Sequence, residues 1–408
     1  MKFSEYRIIP EIKQSLAELG YKKPTDIQYK AIPNILKGED LLAIAQTGTG
    51  KTAAFAIPIL HLISTHGVGQ GIKAIVMVPT HELAIQIAEV FDKLGKYTSV
   101  RTLAVYGGVD QDPQIEQLKD GVDIVVATPG RVFDLVNQRH LDLRDIKMLV
   151  LDEADLMLDL GFYKDINDLI RFLPRHRQTL FFSATINEKI KDLAYSLVRN
   201  AIRIQISPKD PVSKNVTHSV MFVTMDDKRF FLERIVKENP DKKILVFVRT
   251  KVRAERVYEA MKRVGIDSVT MHGGKDQDNR LDVMKQFKTG ETKLLIATDV
   301  SARGVDIADV DYVVNYDLPD VAENYVHRVG RTGRGTKKGV AVSFCSPEEV
   351  KTLEEIEKFM GKEINVLDVD MADYTETIVL TEDGNDNWKH LLREAEKEEK
   401  KYKGKKKK

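Results

Sequence analysis

Short apolar runs recur along the chain, separated by segments in which apolar residues return every three or four positions. Leu41–Ile44, Ala74–Val78, Leu103–Tyr106, Asp123–Ala127, Met148–Leu151, Thr179–Phe182 and Ile202–Ile206 each read as a strand, with helices between them. The alternation predicts βαβ units around a parallel sheet. Before it, Ile8, Ile12, Leu16 and Leu19 predict a short amphipathic helix that Gly20 closes. The periodicity stops over Ser207–Asn215, where Pro208 and Pro211 predict a linker. Beyond it the pattern starts again, with strands expected at Ser219–Val223, Ile244–Val248, Ser268–His272, Leu294–Thr298, Tyr312–Tyr316 and Val340–Cys345. The expected fold class is α/β, with two tandem parallel-sheet domains over residues 1–207 and 216–369. A linker spans 208–215 and a lysine-rich tail 370–408.

Two stretches give the first domain its chemistry. Met148–Leu151 is uniformly apolar, as a buried central strand should be, and Asp152, Glu153 and Asp155 follow at its C-terminal end, where open α/β sheets bind ligands. Carboxylates crowded there repel one another, which favours a bound cation, and hard oxygen ligands suit Mg²⁺. A solvated acidic turn is the plainer alternative, and the upstream sequence weighs against it. Ala45-Gln46-Thr47-Gly48-Thr49-Gly50-Lys51-Thr52 stands between an apolar run and an alanine-rich helical start, the strand–loop–helix setting of a phosphate-binding loop. Backbone amides and the helix N-terminus can cradle phosphates, Lys51 can reach the terminal ones, and the Thr52 hydroxyl can join Asp152 on Mg²⁺. Ala45 occupies the position of the pattern's first glycine, so the loop is a variant form. Pro58 is expected to kink or end the helix that follows. In the second half Arg249-Thr250-Lys251-Val252-Arg253 follows Val248 where a glycine-rich loop would stand, so that domain reads as a copy without its own nucleotide site.

Composition narrows the setting. With 408 residues, 42% hydrophobic and 31% charged, the chain is long enough for two ordinary cores. The single cysteine, Cys345, lies in an apolar run and reads as a buried strand residue. The absence of a membrane-length apolar stretch and of a secretory leader points to the cytoplasm. Net charge is +1, but Lys389–Lys408 carries 10 Lys/Arg against 4 Glu, or +6, which leaves 1 − 6 = −5 on the rest. A nucleic-acid surface in the body must then come from local placement of cations and amides. The tail reads either as a solubilising lysine run or as an electrostatic tether to RNA, with docking partners unknown.

Two further segments remain. Gln28, near Phe3 and the turn Gly20–Gln28, has the donors and acceptor to pair with an adenine edge, although an ordinary turn before a helix explains it as well. His327-Arg328-Val329-Gly330-Arg331-Thr332-Gly333-Arg334-Gly335 interleaves glycine with arginine, which suits close backbone approach or guanidinium groups aimed at phosphate. Facing the first domain, Arg331 and Arg334 could stabilise the γ-phosphate in the transition state, with Glu153 as the base that orients or deprotonates water.

These motifs, in this order, resemble those of DEAD-box RNA helicases over about residues 3–365, and the short lysine-tailed core is similar to bacterial RhlE-like members. The match is carried by Phe3 and Gly20–Gln28, AQTGTGKT at 45–52, PTHELA at 79–84, Gly107-Gly108, Thr128–Arg131 and DEAD at 152–155. It continues through Ser183-Ala184-Thr185, Val246–Thr250, His272-Gly273, Gln277 with Arg280, ATDVSARGVDI at 297–307 and HRVGRTGR at 327–334. The resemblance implies two RecA-like domains that use ATP and Mg²⁺ to act on RNA as a monomer. It assigns Phe3, Tyr21, Thr25, Gln28 and Asp306 to the nucleoside. It assigns Ser183, Thr185, Asp155 and His327 to coupling hydrolysis with strand separation, where the residues alone would allow a polar strand end. RNA would meet Pro79, Thr80, His81, Gly107, Gly108, Thr128, Pro129, Gly130 and Arg131 on one domain, and Thr250, Gly273, Thr298 and Arg303 on the other. These groups grip sugar and phosphate and read no base. The family has arginine at the position of His81, which removes a fixed charge from the expected phosphate contact.

Overall fold

The computed structural model describes residues 2–46, 48–67, 71–206, 212, 215–302, 307, 310–333, 337–367, 374 and 377. Two compact units divide the chain between Ser207 and Pro208.

In the first unit α1 (Pro10–Glu18) and α2 (Asp26–Leu36) precede β1 (Leu41–Ala45), which leads into α3 (Lys51–His66). Then follow β2 (Ala74–Met77), α4 (His81–Leu94), β3 (Thr102–Val105), α5 (Asp112–Lys119), β4 (Ile124–Ala127) and α6 (Pro129–Asn137). β5 (Met148–Leu151), α7 (Ala154–Asp159), α8 (Tyr163–Phe172), β6 (Gln178–Ser183), α9 (Glu188–Leu197) and β7 (Ile202–Ile206) complete it. All seven strands are parallel, in the order β3-β4-β2-β5-β6-β1-β7. The uniform apolar runs have a direct cause. Leu41, Ala43 and Ala45 feed one core layer while Leu42 and Ile44 feed the other, so a strand covered on both faces has no polar side.

Pro58 does not end its helix: α3 continues to His66. Burial of most of the helix outweighs the lost hydrogen bond. The opening helix starts at Pro10, where a proline suits the first turn, two residues later than the apolar spacing suggests.

The second unit contains β8 (Val216–Phe222), α10 (Lys228–Glu238), β9 (Ile244–Val248), α11 (Lys251–Arg263), β10 (Val269–Met271), α12 (Gln277–Thr289) and β11 (Leu294–Thr298). After these come α13 (Asp299–Ala302), β12 (Tyr312–Asn315), α14 (Ala322–Val329), β13 (Gly339–Cys345), α15 (Val350–Met360) and β14 (Asn365–Val366). Its parallel sheet runs β10-β11-β9-β12-β13-β8-β14, which is the first unit's order with seven added to each label. The copy is therefore strand for strand, and it corrects one detail of the sequence reading. The segment Arg249–Arg253 follows β9, the counterpart of β2, whereas the counterpart of the phosphate loop follows β8 at Val223–Asp227. That loop also lacks glycine. Cys345 ends β13 at 1% exposure, and burial pushes its thiol well above the usual range, as a core residue requires.

Candidate functional site

β1 delivers the chain into the phosphate loop and α3 carries it away. Gly48 and Gly50 have φ of 80° and 92°, the left-handed region that glycine enters without strain. At Gly50 a Cβ would lie 2.5 Å from Gln28 Nε2, so space as well as φ requires glycine. Thr49 Oγ1 donates to Gln46 O at 2.8 Å and tightens the turn. Lys51 is the first residue of α3, 6% exposed, and its Nζ has no hydrogen-bond partner among the described residues. A buried ammonium without acceptors is an incomplete site, which an incoming anion would complete. Thr47 lies outside the described residues.

Gln28 is 3% exposed and commits its amide inside the protein. Oε1 accepts from Thr25 N at 2.9 Å, forming a capping box on α2, and Nε2 donates to Gly50 O at 3.1 Å. Gln28 thus links the N-terminal segment to the phosphate loop. Phe3 is also interior, with its ring 5.9 Å from Tyr6 and 6.0 Å from Tyr21. Tyr21 keeps 37% of its surface, so of these two rings it is the one with an open face.

β5 is the middle strand, and Asp152 at its end is 3% exposed with its carboxylate accepting from Glu153 N at 3.0 Å. Burial pushes this carboxyl above the usual range; the Lys51 charge and the Glu153 N–H oppose the rise, and Asp155 adds to it. Glu153 adopts φ 51°, ψ 48°, a left-handed conformation that a non-glycine residue holds at a cost of about 1–3 kcal/mol. Such strain clusters at working sites. Asp155 Oδ2 accepts from Ala184 N, Thr185 N and Thr185 Oγ1 at 3.2, 3.1 and 3.2 Å, and Ser183 Oγ donates to Thr185 O at 2.8 Å. The ends of neighbouring β5 and β6 are thereby tied through three of the four expected coupling residues. His327 belongs to α14 in the second unit.

Among the described residues no group of three or more His, Cys, Asp or Glu is arranged to hold a metal ion. The donor set nevertheless fits Mg²⁺, which takes one or two protein oxygens and completes its shell with phosphate and water; Asp152 and Thr52 would supply the protein share.

The expected RNA contacts fall on consecutive strand ends. β3, β4 and β2 are neighbours, and from their C-terminal ends come Gly107-Gly108, Thr128–Arg131 and Pro79–His81. Thr80 caps α4 by accepting from Leu83 N at 3.4 Å, which leaves His81 as the first helical residue and not the cap. The His81 ring lies 5.7 Å from Tyr106, and its Nε2 would be 3.8 Å from a Cβ on Gly107. Arg131 Nη2 donates to Val109 O at 2.7 Å, while Nη1 is buried without a hydrogen-bond partner among the described residues. In the second unit β10, β11 and β9 hold the equivalent places and present Gly273, Thr298 and Thr250. Thr250 caps α11, accepting from Arg253 N at 3.2 Å, and a Cβ on Gly273 would meet nothing within 4 Å. Arg303, Asp306 and Arg334 lie outside the described residues.

The glycine-arginine run divides by role. Arg328 is a core residue at 2% exposure: Nε and Nη2 bind Asp299 at 2.6 and 2.7 Å, and Nη1 donates to Asp317 O at 2.7 Å. Gly333, with φ 64°, meets the second unit's own sheet, since a Cβ there would overlap Val216. Arg331 is 5% exposed. Composition hid a second group of buried charges, Lys228, Asp317 and Glu349; the readable signal was an acid just beyond an apolar strand, as at Asp152.

A glycine loop and buried lysine at one strand end, an aspartate at the end of the central strand, and a second sheet of the same order define a tandem-domain, phosphate-loop nucleotide hydrolase. Residues 25–193 match the DEAD/DEAH box helicase model and residues 227–336 the helicase conserved C-terminal domain. The chain is 41% identical over 385 residues to the ATP-dependent RNA helicase RhlB of Shewanella putrefaciens, covering 92% of this chain and 88% of that protein. It belongs to the DEAD-box ATP-dependent RNA helicases. It is also 39% identical over 371 residues to the DEAD-box helicase CshA of Bacillus anthracis, covering 91% of this chain and 70% of that one. Saccharomyces cerevisiae Dbp5 bound to RNA and ADP BeF3 has a similar structure, with a TM-score of 0.82, 32% identity, and coverage of 93% and 98%. These bacterial relatives carry the names RhlB and CshA, so the RhlE-like subtype remains an expectation. Among the described residues no helix is long and apolar enough to cross a membrane.

Proposed function

We propose that the protein is an RNA-stimulated ATPase that separates short duplexes locally, or remodels RNA–protein complexes, with little sequence preference. The observation that carries this reading is the pair of matching strand-end triplets, whose amides, hydroxyls and cations suit a sugar-phosphate backbone. The RNA in the Dbp5 complex supports it. Pro79, Thr80, His81, Gly107, Gly108, Thr128, Pro129, Gly130 and Arg131 would hold one stretch of RNA, and Thr250, Gly273, Thr298 and Arg303 another.

In the same reading residues 45–52 bind the triphosphate, with Lys51 on its terminal phosphates and Phe3, Tyr21, Thr25 and Gln28 around the base. Thr52 and Asp152 hold Mg²⁺, which supplies charge neutralisation when bound. Glu153 orients or deprotonates water, and Arg331 and Arg334 contribute positive charge to the γ-phosphoryl group as it is transferred to water, with ADP leaving. Asp155, Ser183, Thr185 and His327 relay the nucleotide state, while Asp306 serves the ribose. The proposed protein is a cytoplasmic monomer with a linker at 208–215 and a lysine-rich tail at 370–408.

A fluorescent RNA duplex supplied with ATP or a non-hydrolysable analogue tests the activity. Strand release is expected with both in a single round and repeated turnover with ATP alone; RNA retention without release would establish a clamp instead. Competition between RNA and DNA for ATPase stimulation checks the RNA preference.

At His81 the proposal predicts a gain. His81→Arg restores a fixed charge and a forked donor, so RNA affinity at low salt is expected to rise and the salt slope to steepen by about 1. Filter binding across a salt series checks it. Affinity that stays level or falls removes His81 from the phosphate backbone.

A further inference from the structure

The second unit contains a buried anion site already filled by the protein itself. α10 is the counterpart of α3, and both helices begin with a lysine: Lys51 in the first unit and Lys228 in the second. Lys51 Nζ lacks a hydrogen-bond partner among the described residues, whereas Lys228, with a side chain 0% exposed, donates to Glu349 at 2.5 Å and lies 3.7 Å from Asp317. Asp317 follows β12, the counterpart of β5, much as Asp152 follows β5.

Glu349 comes from the turn between β13 and α15, and its carboxylate is 3% exposed. Besides Lys228 it accepts from Ser346 N, Ser346 Oγ, Leu318 N and Arg249 Nη2, each at 3.1 Å. A buried lysine, an arginine, a hydroxyl and two backbone amides from separate loops form the donor set that phosphate-binding loops offer to a phosphate. The same two acids hold the turn between β9 and α11. Asp317 accepts from Arg249 N at 3.0 Å and pairs with Arg253 at 3.2 Å, and Arg249 Nη2 also donates to Leu318 O at 3.3 Å. Thr250 stands in that turn, between Arg249 and Lys251.

We propose that Glu349 is a built-in anion that occupies the second unit's former phosphate site and thereby positions the Arg249–Thr250 turn for RNA. Glu349 is a positioning residue in this scheme, and the RNA half of the proposal rests on the reading of Thr250 given above.

The test uses the full chain and formate, a carboxylate small enough to enter the space left by Glu349→Gly. In that variant the KM for RNA is expected to rise about tenfold as charged hydrogen bonds are lost, with the KM for ATP unchanged and Tm lowered. Formate, compared with chloride at equal ionic strength, should restore both quantities saturably. It should do nothing to the wild type or to Glu349→Gln, whose amide fills the space. A folded Glu349→Gly that shows no saturable formate response overturns the proposal. If the variant fails to fold in chloride, folding in formate supports the proposal and failure in formate overturns it. Thr250→Ala separates the two readings: an unchanged KM for RNA there removes the RNA role of the turn, and the formate dependence of Tm still decides the anion role.

Discussion

Lys51→Met should lower ATP turnover by about 10²–10³-fold or more and raise the Tm of the nucleotide-free protein. The first effect follows from position. Lys51 opens α3 directly after the glycine loop, where in the proposed function its ammonium would meet phosphate charge that no other described side chain of the loop can match. The second follows from burial: Nζ is enclosed without a hydrogen-bond partner among the described residues, and a buried ammonium without acceptors is costly even with the Asp152 charge nearby. Methionine keeps the length and removes the charge. Asp152 loses its opposing charge in the variant, which offsets part of that gain. Thermal denaturation with and without an ATP analogue reads both effects, because ligand-induced stabilisation scales with affinity. Turnover within tenfold of the wild type, or a lowered Tm, contradicts this account of the site.

Asp152→Asn should lose turnover to a similar degree and, at pH 7, leave the folded protein more stable than the wild type. Its folded-state pKa is raised above the ordinary 3.8, with burial the main cause. Between those two values the folded state holds more protons than the unfolded chain, so this group's contribution to stability declines as pH rises through the window and stays low above it. Asparagine removes the titration. The stability advantage of the variant should therefore be present near neutrality and vanish as pH falls below 3.8, where both states of the wild type become protonated. Urea denaturation at several pH values measures the difference; an equal offset at every pH shows that geometry and not charge sets it. In the same variant, Mg²⁺ should no longer strengthen the stabilisation given by a nucleotide analogue.

Both variants are expected to gain stability at the expense of chemistry, as follows where a site keeps unpaired or desolvated charge ready for a ligand. The second unit shows the opposite outcome on the same framework. Lys228 has its carboxylates permanently in place, and nothing in that arrangement awaits phosphate.

Much of this was legible in the chain. A parallel sheet buried on both faces leaves its strands no polar alternation, so uniform runs such as Met148–Leu151 and Ile244–Val248 marked the strands at the positions the structure gives them. The phosphate loop was legible because its glycines answer to local φ and close approach, and the acid after the central strand because strand ends are where such sheets bind ligands. β14 escaped notice, since two residues with a polar first position carry no periodicity.

The sequence by itself determined the strands, the repeat and the chemical character of each loop, because these depend on near neighbours and on burial that a run of residues advertises. Only the tertiary structure decided partners. It turned the Gln28 amide toward Gly50 across 22 positions, joined Asp155 to Thr185 across 30, and closed Glu349 on Lys228 across 121. A hydrogen bond depends on distance in space, and strand order, which no local pattern contains, sets that distance.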